Sequence, residues 1–135
     1  MNSKKTTYSA ILGTLIANER KAQQLEQFAV AEKMGLSQAS YSRMESGRAT
    51  LTLEHMFQAG AALGFSEAEF SDKLVKLIES FKENGIEIVN VQRGNSNGAQ
   101  NKEAVTSGSD KANGNGKLLV GAALGALAFS ILSNR

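Results

Sequence analysis

The sequence predicts an all-α domain of five short helices, followed by a short strand, a flexible linker and a hydrophobic C-terminal helix. Before residue 85, apolar residues recur three and four apart in successive runs, the spacing of one buried helical face. Glycine or a Ser/Thr capping residue separates the runs. Beyond residue 93 the composition changes twice, first to Gly, Asn, Ser and Ala with scattered charge, then to an uncharged apolar tail. These changes divide the 135-residue chain into a domain over 1–93, a disordered linker over 94–116 and a hydrophobic tail over 117–135.

Residues 1–7 read as a polar, frayed end, and no apolar run of signal-peptide length follows their lysines. A first helix is expected over 9–21, with Ile11, Leu12, Leu15 and Ile16 facing inward. Helices over 27–34 and 38–46 follow, with Val30 and Ala31 inside the first of them and Tyr41 and Met44 inside the second. Gly35 stands where the chain must turn left-handed to leave a helix, and Ser37 offers an oxygen to the orphan N–H groups of the next. This is a helix-turn-helix, and the outer face of its second helix carries Gln38, Ala39, Ser42 and Arg43. A fourth helix follows the capping residue Thr52 and ends at Gly64, with Leu53, Met56, Phe57 and Leu63 inward and Gly60 in its middle. A fifth opens on the capping-box pair Ser66 and Glu69, runs through Phe70, Leu74, Leu77, Ile78 and Phe81, and stops at Asn84-Gly85.

Residues 86–91, IEIVNV, then read as a β-strand. A lone strand leaves its backbone groups unpaired, so it needs a partner: the same strand of a second subunit, or a fold-back onto its own helices. The 94–116 segment has almost no large apolar residue with which to offset ordering entropy. As a random coil it gives a typical end-to-end distance of about 25–30 Å. The tail is uncharged from Leu118 to Asn134, bracketed by Lys117 and Arg135. As a helix it would be about 25 Å long, at the short limit for a hydrocarbon core of ~30 Å. Gly121 and Gly125 form a GxxxG suited to helix packing in lipid. The expectation is a membrane anchor carried by Leu118, Gly121, Gly125 and Leu132, holding the domain in the cytoplasm at the inner membrane. The other reading is a tail buried against protein.

Composition narrows the chemistry. With no Cys there is no disulfide framework and no thiolate metal site, and His55, the one histidine, makes no metal site alone. Net charge is +2, but residues 1–50 hold seven Lys/Arg against four Asp/Glu, whereas 51–93 hold four against seven. The basic half contains the helix-turn-helix, as a phosphate-facing surface requires. No nucleophile–base pairing, glycine-rich phosphate loop or carboxylate pair is present, so neither an enzyme nor a cofactor is expected.

The run AEKMGLSQASYSRMESGR over 31–48 resembles the Cro/phage-repressor-like (XRE) helix-turn-helix family. The resemblance extends over residues 8–66, through Gly13 and Arg20, Gln27 with Val30-Ala31, Gly35-Leu36-Ser37, Ser42-Arg43-Met44-Glu45, Gly47-Arg48 and Ala62-Leu63-Gly64. It implies a five-helix lambda-repressor-like domain, a buried ion pair between Arg20 and Glu45, and joint action of Gln27 and Gln38, the first binding a phosphate while bracing the second against a base. Glu26 stands where Ser or Thr usually caps the second helix, Phe28 where a polar residue is common, and Tyr41 where Ile or Val is usual.

The expected partner is double-stranded DNA. A Gln such as Gln38 matches adenine N6 and N7, an Arg such as Arg43 matches guanine O6 and N7, and Ala39 suits a thymine methyl. Ser37, Ser40, Ser42, Ser46, Arg48 and Lys33 are candidates for phosphate contacts, which set register without reading sequence. The functional expectation is a sequence-specific, dimeric, membrane-tethered transcription regulator. A membrane-anchored adaptor that uses the same fold to hold a protein partner is the alternative.

Overall fold

The structure, a computed structural model, describes residues 4–90 and 118–133. The linker expected over 94–116 lies outside the described residues, as do Lys117, Arg135 and the side chain of Leu132. A two-residue strand β1 (Lys5–Thr6) is followed by α1 (Tyr8–Ala22), α2 (Gln27–Met34), α3 (Gln38–Glu45), α4 (Leu53–Ala62) and α5 (Glu67–Glu83). A second short strand β2 (Glu87–Ile88) and a C-terminal helix α6 (Gly121–Ser133) complete it.

The helix starts follow the capping residues. Thr7, Ser37, Thr52 and Ser66 each accept a hydrogen bond from a first-turn amide, whereas Glu26 makes no such bond at the start of α2. The Ser66 and Glu69 capping box forms in both directions, at 3.1 and 3.0 Å. In α4 the reciprocal group is the His55 ring, whose Nδ1 accepts from the Thr52 amide at 3.3 Å. α2 ends at Gly35 with φ 73°, the left-handed conformation that only glycine adopts cheaply.

One core joins these helices. Ile11, Leu12, Leu15 and Ile16 from α1 meet Val30 and Ala31 from α2, Tyr41 and Met44 from α3, Leu63 after α4, and Phe70, Leu77 and Phe81 from α5. Two glycines are required by close approach rather than by turns. A methyl group at Gly60 would lie 2.9 Å from the Phe70 ring, so the ring occupies the space a longer residue would fill. A methyl at Gly13 would collide with the backbone carbonyl of Met44 and lie 2.9 Å from that of Glu45. α1 and α3 therefore cross backbone to backbone at Gly13. Backbone cannot rotate aside as a side chain can, so Gly13→Ala is expected to lower the unfolding free energy by about 2–3 kcal/mol. Urea denaturation checks this; a midpoint within error of wild type would show that the crossing tolerates a side chain.

Three sequence expectations need correction. Residues 4–7 are not frayed: Lys5-Thr6 form β1, and Thr6 is fully buried. The strand after α5 takes neither expected partner but pairs in parallel with β1 of its own chain, Lys5 opposite Glu87 and Thr6 opposite Ile88. The Glu87 amide donates to the Lys4 carbonyl and the Val89 amide to the Thr6 carbonyl, both at 2.8 Å. Leu53 is 66% exposed rather than inward, because α4 turns Ala59 and Gly60 to the core at its far end instead. Of the two readings of the tail, the fold displays the one in which it is buried against protein, here its own domain. Among the described residues no helix is long and apolar enough to cross a membrane. α6 has 13 residues and lies on α1 and α5, with Leu124 and Ala128 fully buried and Ile131 nearly so. Gly121 and Gly125 face the groove between α1 and α3.

Candidate nucleic-acid interface

The helix-turn-helix presents its outer residues as a consequence of what it buries. Tyr41 and Met44 point into the core and are 0 and 3% exposed. Residues roughly opposite them on an eight-residue helix must then face out. Gln38, Ala39, Ser40 and Arg43 are exposed, and Ser42 is half-buried. Gln38 and Ser42, and likewise Ala39 and Arg43, are four apart and stack along one side. Around this face stand Lys33, Ser37 and Arg48, all exposed, with Gln27 and Ser46 half-buried. All ten candidate DNA-contact residues are thus at the surface.

Behind the face lies a chain of polar contacts. Arg20 grips Glu45 with both arms of its guanidinium, Nε to Oε2 at 2.6 Å and Nη2 to Oε1 at 3.0 Å. The two side chains are only 11 and 7% exposed. The remaining arm of Arg20 donates to the Leu25 carbonyl at 2.8 Å, tying the α1–α2 connection to the pair. The Gln27 amide donates to Glu45 Oε1 at 2.9 Å, and Gln27 Oε1 accepts from Gln38 Nε2 at 3.5 Å. The first base-facing residue is thereby linked through Gln27 and Glu45 to the buried pair. Burial by itself raises the Glu45 carboxyl, but Arg20 first, then the neighbouring Tyr41 hydroxyl and the Gln27 amide, together outweigh it, and the group titrates below its usual value. The pair with Glu45 likewise raises Arg20 against the opposing effect of burial. The Tyr41 hydroxyl lies beside the pair, close enough to feel its charges but short of hydrogen-bond geometry. Burial, first of all, keeps that hydroxyl neutral.

This geometry divides the candidates by what their polar atoms are already doing. Gln38 commits one amide hydrogen to Gln27, which leaves the other hydrogen and Oε1 as a donor–acceptor pair facing outward. Gln27 donates one amide hydrogen to Glu45 and accepts from Gln38 through Oε1, so it braces Gln38 and keeps its second amide hydrogen for a phosphate. The Ser37 oxygen caps α3 through the Ser40 amide at 3.1 Å, and the Ser46 hydroxyl donates to the Arg43 carbonyl at 3.1 Å. Among the described residues no group of three or more His, Asp or Glu side chains could hold a metal ion.

Two features of the surroundings were not visible in the sequence. His55 lines a hollow with Ser40, Arg43, Ala49 and Leu51 beside the exposed end of α3. Gly121, Ala122 and Gly125 of α6 line a cleft with Gln27, Ser42 and Ser46, so the C-terminal segment flanks the candidate interface. The apolar tail was a signal that something must cover it, but nothing in its composition named the covering surface.

Comparison with known proteins agrees with this architecture. The family model described as Helix-turn-helix matches residues 16–70. Among solved structures, the wild-type restriction-modification controller protein C.Esp1396I superposes with a TM-score of 0.50 at 22% identity, over 53% of this chain and 94% of that one. The same protein bound to a 25 base pair operator site gives 0.50 at 22% identity, over 53 and 95%. The clp gene regulator ClgR from C. glutamicum gives 0.47 at 23% identity, over 51 and 90%. No curated protein matches the chain.

Proposed function

We propose that this chain, whose residues 16–70 match the helix-turn-helix family model, is an XRE-type, sequence-specific DNA-binding transcription regulator that acts as a dimer. The observation that carries the proposal is the outward, solvent-exposed presentation of Gln38 and Arg43 on a helix whose other side is locked in the core. The free hydrogen and Oε1 of Gln38 match adenine N7 and N6, and the Arg43 guanidinium matches the two acceptors of guanine. Arg48 and Lys33 supply positive charge at the margins for phosphates. A dimer would place two such helices about one DNA turn apart, ~34 Å, on a pseudo-palindromic site. On this reading the domain works in the cytoplasm, and the C-terminal segment is the part that meets a membrane. The structurally similar controller protein is described as bound to its operator, which supports the reading by analogy of fold.

Phe28 favours the adaptor reading. It is 56% exposed on α2, an apolar ring where a protein partner would find a foothold. One experiment separates the two. The full chain is equilibrated with fragmented genomic DNA across a salt series, and the bound fragments are sequenced. A regulator enriches a shared motif, and its affinity falls steeply and linearly with the logarithm of salt, by about 0.9 per phosphate contacted. No enrichment at any salt concentration would leave the adaptor.

A further inference from the structure

The C-terminal segment returns to the domain beside the helix-turn-helix. Leu118 bridges in parallel to Lys5 on the edge of β1 opposite β2, and the Leu119 amide donates to the Lys5 carbonyl at 2.6 Å. The Thr6 hydroxyl, fully buried, donates to the Leu119 carbonyl at 2.7 Å. Val120 then backs the turn that follows α3: a methyl at Gly47 would lie 3.3 Å from the Val120 Cβ and 3.1 Å from Ala10. At Gly121 it would lie 3.5 Å from the Ser46 carbonyl. Beyond that, α6 buries Leu124, Ala128 and Ile131.

Its outer face carries one hydroxyl, Ser130, and is otherwise apolar. Ala122, Ala123, Ala126, Phe129 and Ser130 are exposed, and no residue from 118 to 131 is charged. A helix that stays docked in water carries a polar stripe on its far side; one that is apolar all round belongs in a core or in lipid. The exposure of this face and the absence of charge together favour lipid as the second environment.

The geometry points to residues 118–133 as a two-state arm, in which the docked state braces the Ser46–Arg48 turn for DNA binding and a lipid bilayer competes for the same apolar side chains. Leu124, Ala128 and Ile131 cannot lie against α1 and in lipid at once, so membrane entry and docking exclude one another and are thermodynamically coupled. Release gives up the hydrogen bond from the Thr6 hydroxyl to the Leu119 carbonyl and opens that edge of β1 to water. It also removes Val120 from Gly47, so the turn bearing two candidate phosphate contacts is no longer pre-organised. The DNA half of this inference rests on the regulator reading above.

The test uses the full chain, neutral phosphatidylcholine vesicles that offer no charge to compete with DNA, and the most enriched genomic fragment. Flotation reads lipid binding, hydrogen exchange reads the amides of residues 46–48, and fluorescence anisotropy reads DNA affinity. Vesicles are expected to float the wild-type protein, speed exchange at 46–48 and weaken DNA binding about tenfold, within the usual range of coupling between sites. Ala126→Glu alters only the exposed side of the docked helix, so docking and DNA binding should persist while bilayer entry falls about a hundredfold. Vesicles should then leave its DNA affinity unchanged. Ala128→Glu, at a buried position, should speed exchange at 46–48 in water alone. A wild-type protein that does not float would remove lipid as the competitor. One that floats with exchange and affinity unchanged, or with affinity raised, would overturn the coupling. If no DNA is bound without vesicles, the regulator reading and the DNA half fail, and flotation with exchange still decides the competition for the arm.

Discussion

Arg20→Ala is expected to lower the unfolding free energy by about 3–5 kcal/mol and to weaken DNA binding in whatever fraction stays folded. The guanidinium makes two bonds to Glu45 and one to the Leu25 carbonyl, in a site where both partners are nearly sealed from solvent. Truncation leaves the Glu45 carboxylate buried beside the Gln27 amide and the Tyr41 hydroxyl but without its counter-charge, and most of the desolvation penalty of that charge falls on the folded state. Arg20→Lys should be intermediate, because an ammonium keeps the charge but cannot make the two-armed grip. Glu45 contributes to acid sensitivity with a definite sign. Its folded-state titration lies below the ordinary carboxylate value of 4.5. The stability it confers is therefore present above that value and is lost as pH falls through the folded-state range. The hydrogen bond to Glu45 raises Arg20 above its usual value, so the guanidinium keeps its charge at every accessible pH. Urea midpoints for wild type and Arg20→Ala at neutral pH and near pH 3 give the check. A loss under about 1 kcal/mol at neutral pH would show that the pair carries little of the fold, and a large loss that does not shrink as pH falls would show that Arg20 acts through something other than the Glu45 charge.

Gln38→Ala and Arg43→Ala should each weaken binding to the selected DNA site by about 1–3 kcal/mol and relax preference at one base position. Neither should change thermal stability appreciably, since both side chains are exposed and α3 is held by Tyr41 and Met44. Gln27→Ala should reproduce part of the Gln38 effect, because it removes the acceptor that orients the Gln38 amide. Arg48→Ala should behave differently: all sequences weaken alike, and the salt slope falls by about one. Binding isotherms with the selected site and single-base variants distinguish these patterns. Wild-type affinity and preference in all four variants would mean that this face does not read DNA.

How much of this was legible depended on the range over which each signal acts. The bounds of α2, the left-handed Gly35, the caps at Ser37, Thr52 and Ser66, and the inward set on α1 and α5 all came from residues within a few positions of one another. Leu53 was misplaced because it lies on the same side of α4 as Gly60, seven residues on, but at the end of the helix that the core does not cover; the period gives the side, not how far along it burial extends. The contact between Gln27 and Gln38 came from the family resemblance, and the structure adds that Gln27 also serves Glu45.

The sequence by itself determined the helix-turn-helix, its capped ends and which side of α3 faces out, because turn chemistry and the 3.6-residue period are local and written in the order of residues. Only the tertiary structure decided where the two chain ends go. Thr6 and Leu119, 113 positions apart, meet across an edge of β1, and Lys5 pairs with Glu87 on its other edge. Such pairings depend on which surfaces the folded helices leave uncovered. An apolar tail declares that it must be covered; the surface that covers it exists only once α1, α3 and α5 have packed.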